Sequence, residues 1–301
     1  MTLRWAVRVV GLAACSIGVA ASAQQPPPPT DPNQIVVEGR RDREDEIKDL
    51  IQALPPTGGV DGHLSRFEMA ACPGVVGLPP EQKARTVERM RAVAQAAGVP
   101  LGKPGCRVNV LLMVTADKAK LMEHLAAHYP GYLGDVSNRR LAALAKAPTP
   151  SALWHLKTIV DADGREEFAA GLQEVVARRT GRGASRITDL AHPSFSGSIL
   201  VVEAAALPGL STTQLADYAA MRTLSGADPA RLPDRHARTI LTILDAPNGS
   251  EVPVTLTEWD LAFLKSLYAS DPDRFAASQR GEIQNRMRKE LAKGPSGEEP
   301  R

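Results

Sequence analysis

Val108-Asn-Val-Leu-Leu-Met-Val-Thr115 (VNVLLMVT) is the stretch on which the fold turns. It is almost continuously apolar, too short for a helix of ordinary length, and does not alternate in the manner of a half-exposed strand. A run of this kind reads as a strand buried on both faces. Ahead of it, Pro79-Pro80 opens a helix to about Ala97, with Val87, Met90, Val93 and Ala97 at helical spacing and Gly98 and Pro100 as the stop. After it, helices are expected over Ala116–His128 and Val136–Lys146, stopped by Pro130 and Pro148.

Leu153–Val160 alternates and reads as a second strand, followed by the turn signal Asp161-Ala-Asp-Gly164. Ser185–Leu190 and Gly197–Ala204 read as two more strands, taken as an antiparallel pair. Ser211 with Gln214 makes a capping box for a helix ending at Gly226. Thr257-Glu-Trp-Asp260 makes another, for a helix to Tyr268, and a last polar helix spans about Asp273–Lys293. The sum is an α+β domain: a small mixed sheet of about four strands covered by helices.

Working outward, residues 63–293 are expected as one globular domain. Residues 24–62 read as a Pro-rich and charged flexible tail. It opens on QQPPPPTDPN, continues through the β-prone run Gln34–Arg43, and carries a short helix, Glu44–Leu54. Residues 294–301 read as a disordered tail. The first 23 residues have Arg4 and Arg8, no acid, an apolar run from Val9 to Ala21 and the ending Ala21-Ser-Ala23. The run is about 13 residues long, short of the ~20 that a membrane-spanning helix needs. This is the pattern of a cleavable signal peptide, and it places the mature chain, from Gln24, in the periplasm or outside the cell. Leu12-Ala-Ala-Cys15 resembles a lipobox, so a lipoprotein anchored at Cys15 is the alternative.

Without residues 1–23 the basic and acidic residues balance, so nothing in the charge argues for nucleic acid as a partner. The mature chain has no transmembrane segment. Cleavage at Ala23 would leave Cys72 and Cys106, which in an oxidising compartment are expected to pair. Two free thiols are the alternative, and metal binding lacks the further ligands it would need.

No motif carries a complete catalytic set. His124 and His128 share a helix face at i and i+4, but Leu125 stands where a zinc peptidase has its base. His192-Pro-Ser194-Phe-Ser196-Gly-Ser198 is read as a hairpin loop and lacks a nucleophile elbow. Glu203 on a strand, with Asp217 and Arg222 on the next helix, could converge on one pocket. Neither cofactor nor metal is expected. The reading is an exported envelope protein with a non-catalytic binding domain, its partner an envelope protein or a small ligand. The alternative is a peptidase-like hydrolase with a site near residues 203–217.

Ile35–Arg40 (IVVEGR) resembles the TonB box of TonB-dependent outer-membrane receptors, a segment that docks by adding a strand to its partner. Arg66-Phe67, Ala71-Cys72-Pro73, Val76-Gly77-Leu78-Pro79, Gly105-Cys106 with Asn109, and Leu215-Ala-Asp-Tyr-Ala-Ala-Met-Arg222 resemble exported proteins of unknown function from sphingomonad-type alphaproteobacteria. That resemblance implies a cell-envelope home. More distantly, the strand 197–204, the helix 211–225 and Leu256-Thr-x-x-Asp260…Leu267-Tyr268 resemble a zincin-like family of exported bacterial proteins. There the helix would carry the metal ligands. Here it offers Asp217 and Met221, which implies a lost metal site.

Overall fold

Cys72 and Cys106 each stand just ahead of a strand, and the two strands run side by side. β1 (Pro73–Val76) leads into α1 (Pro80–Ala96), which returns the chain to β2 (Val110–Thr115). β1 and β2 are parallel, with Pro73 opposite Val110. Two parallel strands joined by a crossover helix begin at the same edge of the sheet, and this brings the cysteines together. They form a disulfide with their Cα atoms 6.0 Å apart. Beside it the Cys72 N–H donates to Asn109 Oδ1 at 2.7 Å and the Val110 N–H to the Cys72 carbonyl at 3.1 Å.

The computed structural model describes residues 38–55, 62–134, 136–161, 166–167, 191–232, 238–247 and 250–293. The signal peptide expected at residues 1–23 with its Cys15, the proline-rich stretch 24–33, the strand expected at 185–190 and the tail 294–301 lie outside the described residues. Beyond β2 the chain forms α2 (Lys118–His128), α3 (Asn138–Lys146), β3 (Ser151–Asp161) and the two-residue β4 (Glu166–Glu167). It continues as β5 (Ala191–Glu203), α4 (Thr212–Ser225), α5 (Glu258–Ala269) and α6 (Ala276–Ala292). The sheet order is β1-β2-β5-β3-β4, and β5 is parallel to β2 but antiparallel to β3. The protein is α+β with a mixed sheet, as the pattern of elements implies.

β2 has apolar side chains on both faces, but only one face is fully buried, at Val110 and Leu112; the other is covered in part, so the strand is not buried on both faces throughout. Val110 and Leu112 are fully buried in the main core, with Val75, Met90, Val93, Leu200, Val202, Met221 and Phe263. Leu111 and Met113 face the other way, against a smaller cluster of Met122, Leu125, Leu133, Leu141, Trp154, Ile199 and Val201. α1 and α4 cover the first face; α2 and α3 cover part of the second. Both capping boxes form, at Ser211/Gln214 and at Thr257/Asp260, and Gly226 ends α4 in the left-handed conformation at φ +69°.

Two further expectations are corrected. The helix placed in the N-terminal tail is longer, Glu38–Gln52 (αN below), and belongs to the folded unit, which runs from Arg40 onward. Its apolar residues Ile47, Leu50, Ile51 and Leu54 follow i, i+3, i+4, i+7, and all are buried in the main core. Each such burial contributes about 1.5–3 kcal/mol of transfer free energy, more than a charged face and a proline-rich neighbour can offset. Its last carbonyls are held from outside. Arg280 donates to Ile51 O and Pro55 O at 2.8 and 2.6 Å, Arg231 to Gln52 O at 3.0 Å, and the Asp228 N–H to Ala53 O at 2.7 Å. Glu38–Arg40 of the TonB-box-like segment are helical, not extended; its first three residues lie outside the described residues.

The second correction concerns His192–Ser198, which is not a hairpin loop. It is the first half of β5, a 13-residue strand paired with β3 along its whole length. The strand was hidden by Pro193, Gly197 and three serines, poor strand formers that central pairing overrides. A register shift between Leu156 and Lys157 of β3 accommodates the irregularity.

Candidate functional site

Glu203, Asp217 and Arg222 do not meet in one pocket. Glu203, at the end of β5, accepts the Lys118 N–H at 3.1 Å and so places a carboxylate at the N-terminus of α2. Asp217 is fully buried and saturated. Arg89 Nε reaches Oδ1 at 2.6 Å, while Arg89 Nη2, Thr255 Oγ1 and the Leu256 N–H reach Oδ2 at 3.0, 2.8 and 2.6 Å. Arg222 donates to Tyr218 Oη at 2.9 Å, and that oxygen is 2.9 Å from Ser151 Oγ. The three have different partners: Glu203 and Asp217 join separate elements, whereas Arg222 braces Tyr218 within α4.

The histidines are also structural in their contacts. His124 and His128 stack at 4.4 Å on the exposed face of α2, and His128 Nδ1 lies 3.1 Å from the His124 carbonyl. No group of three or more His, Cys, Asp or Glu that could hold a metal occurs among the described residues. His192 is buried in a polar knot, with Nε2 2.7 Å from Glu68 Oε1 and Nδ1 3.2 Å from Asp273 Oδ1. Nearby, Ser194 Oγ donates to Arg66 O at 2.9 Å, and Arg66 donates to Leu267 O and Ser270 O at the end of α5. This knot joins residues 63–68, β5 and the α5–α6 connection. Glu68 and Asp273 are too far away in sequence for any local pattern to mark them.

A site does emerge on the second face of the sheet. α2 runs back after β2, so His128 and the turn Pro130–Tyr132 come down over that face near the start of β2. Between this turn and the strands lies a cleft of about 1450 Å³. Its floor is aliphatic, including Val108, Leu111, Leu156, Ile159 and Ile199. The wall is aromatic: Tyr129 and Tyr132 are 52% and 48% exposed, with rings edge-to-face at 6.3 Å. Trp154 Nε1 donates to the Tyr132 carbonyl at 2.7 Å and ties that wall to the sheet. The floor passes over the register shift, where Leu156, Lys157, Ser196 and Gly197 all line the cleft.

The charge of the cleft is one-sided. Lys83 from the first turn of α1, Arg107 ahead of β2 and Lys157 of β3 line it, together with His128 and, among the described residues, no carboxylate. All three cations are exposed. Room for the floor depends on Gly74, where a Cβ would come within 2.6 Å of Val108 Cγ1. None of Glu203, Asp217 and Arg222 lines this cleft. The chain holds only four tyrosines, so Tyr129-Pro-Gly-Tyr132 was the one local signal that the sequence reading left unused. The three cations belong to separate elements and carried no signal at all. No family model, curated protein or solved structure matches the chain.

Proposed function

We propose that the chain is an exported cell-envelope protein, periplasmic or secreted, whose folded unit is a non-catalytic binding domain with the tyrosine-walled cleft as its docking site. One observation carries the reading: a large cleft in which three exposed cations and two half-exposed tyrosines face an aliphatic floor, with no carboxylate among the described lining residues. Concave sites with apolar walls and a few placed polar groups are what ligands select. The Cys72–Cys106 disulfide supports an oxidising compartment. No helix among the described residues is long and apolar enough to cross a membrane. The hydrolase alternative is disfavoured because Glu203, Asp217 and Arg222 are engaged with three different partners, the Lys118 N–H, Arg89 and, within α4 itself, Tyr218.

The test places a photo-crosslinking residue at Tyr132 or Thr158 in the chain expressed with its own leader, with a control position at Lys265 on α5. An adduct formed in intact envelopes from the cleft positions but not from Lys265, and lost on Lys83→Glu/Arg107→Glu/Lys157→Glu substitution, supports the reading. Absence of any cleft-specific adduct, or retention of the protein in the cytoplasm, ends it. Esterase or peptidase activity abolished by Glu203→Gln without loss of folding would favour the hydrolase instead.

A further inference from the structure

We infer that the occupant of the cleft is an extended acidic polypeptide segment in which carboxylate and apolar side chains alternate. The inference rests on the binding reading above and deepens it. Size comes first. A cleft of about 1450 Å³ exceeds the roughly 300–1,000 Å³ of sites for single small molecules, so it has room for a length of polymer.

Charge gives the sign. Lys83, Arg107 and Lys157 come from α1, the approach to β2, and β3. In the order β1-β2-β5-β3-β4 these positions are spread from the helix that follows β1, past the start of β2, to β3. Neighbouring strands lie ~4.8 Å apart, so β1 to β3 is about 14 Å, which an extended chain crosses in roughly four to five residues at ~3.3 Å each. A chain crossing that width meets a cation at each end and one between. The ion pairs would form at the exposed rim, where charge sets specificity and encounter rate more than affinity.

The apolar side chains of such a segment would supply the affinity. In an extended chain alternate side chains point to opposite sides, so one set can lie on Val108, Leu111, Leu156, Ile159 and Ile199. The other set then points to the rim and its cations. Tyr129 and Tyr132 offer large, stiff contact surface, already fixed by the Trp154–Tyr132 hydrogen bond before any ligand arrives. An oligosaccharide fits the lining less well. Sugar hydroxyls need strong acceptors, a carboxylate is the strongest a side chain offers, and the described residues of this lining include none. A fatty acyl anion would concentrate its charge at one end, whereas the cations here are spread across the sheet.

The experiment measures fluorescence anisotropy with the disulfide-intact mature chain and labelled octapeptides of alternating Glu and Leu, Lys and Leu, or Glu and Ser. The Glu/Leu peptide is expected to bind about tenfold or more tighter than the other two, and to weaken as salt is raised. Lys83→Glu/Arg107→Glu/Lys157→Glu is expected to lose that binding by a similar factor and to shift preference to the Lys/Leu peptide, with an unchanged melting point. Lys265→Glu/Lys289→Glu, on α5 and α6, is the control that leaves binding intact. Equal binding of acidic and basic peptides overturns the inference, as does failure of the Glu/Leu peptide to bind. If dodecanoate or an anionic oligosaccharide binds in its place, or a cleft-specific crosslink still forms, the acidic-peptide inference falls alone. If no probe binds and no cleft-specific crosslink forms, the binding reading falls with it.

Discussion

Arg89 of α1 and Asp217 of α4 form a two-bond ion pair, Nε to Oδ1 at 2.6 Å and Nη2 to Oδ2 at 3.0 Å, with the carboxylate fully buried and the arginine 38% exposed. The asymmetry decides what each substitution should do. Removing the arginine strands a buried anion, and breaking a buried pair in this way costs about 3–5 kcal/mol. Removing the anion leaves an arginine that can turn to water. Arg89→Leu is therefore expected to destabilise more than Asp217→Asn, which keeps an acceptor for Thr255 and Leu256. Urea denaturation of the two variants checks the order. By contrast, the exposed Glu81–Arg85 pair is expected to be worth no more than about 0.5 kcal/mol.

The disulfide closes a sequence separation of 34 residues and pins the start of β1 to the approach to β2. In the chain-entropy picture such a loop is worth roughly 3–4 kcal/mol, less whatever structure the unfolded chain retains. Reduction, or Cys72→Ala, is expected to lower stability by about 2–4 kcal/mol. A non-reducing peptide map and paired denaturation curves on natively exported protein measure it, and two alkylatable thiols in that material would contradict the bond.

His155 stacks on Phe195 at 3.8 Å, with Nε2 3.1 Å from the Thr223 carbonyl. Desolvation, against that hydrogen bond, pushes its pKa down from 6.5 to about 3. The folded state therefore holds the ring neutral, while the unfolded chain takes up a proton below about pH 6.5. Its contribution is complete above that value and is lost as the pH falls towards 3. One ring takes up one proton, so the slope from this group is at most about 1.4 kcal/mol per pH unit. His155→Phe is expected to flatten the stability profile between about pH 6.5 and 4.5. Denaturant midpoints for both proteins across that range give the comparison.

Gly77 turns the chain out of β1 at φ +85°, and a Cβ there would come 2.0 Å from the Val114 carbonyl oxygen of β2. Gly98 has a similar φ of +76° but nothing within 4 Å. The left-handed conformation alone costs a non-glycine residue about 1–2 kcal/mol. Gly98→Ala is expected to cost about that much, and Gly77→Ala clearly more, because backbone must move. Thermal melts of the two variants separate strain from clash.

Local pattern alone was enough for the elements with a strong local cause. VNVLLMVT is almost continuously apolar because β2 packs apolar side chains on both faces, one fully buried at Val110 and Leu112 and one in part, and composition alone carries that information. Ser211/Gln214 and Thr257/Asp260 are capping boxes whose two partners lie three residues apart, so they can be read without knowing anything else in the chain. The pairing of Cys72 with Cys106 followed from counting the cysteines outside the expected signal peptide, and the parallel crossover then explains why they meet.

What tertiary structure decided depends on residues distant in sequence. αN packs its stripe into a core that only the rest of the chain creates, and Arg280 supplies the cap for its last carbonyls from more than two hundred positions away. His192–Ser198 became strand because β3 offered it a partner, a choice that local propensity opposes. Asp260 shows both levels in one side chain. Its capping role is local, but its Oδ1 also accepts from Thr239 Oγ1 at 2.5 Å and its Oδ2 from the Ile240 N–H at 2.9 Å, anchoring a distant turn. The cleft is the extreme case. Lys83, Arg107, Lys157 and the two tyrosines share no period and no motif, and they face one another only because the sheet order β1-β2-β5-β3 sets their elements side by side.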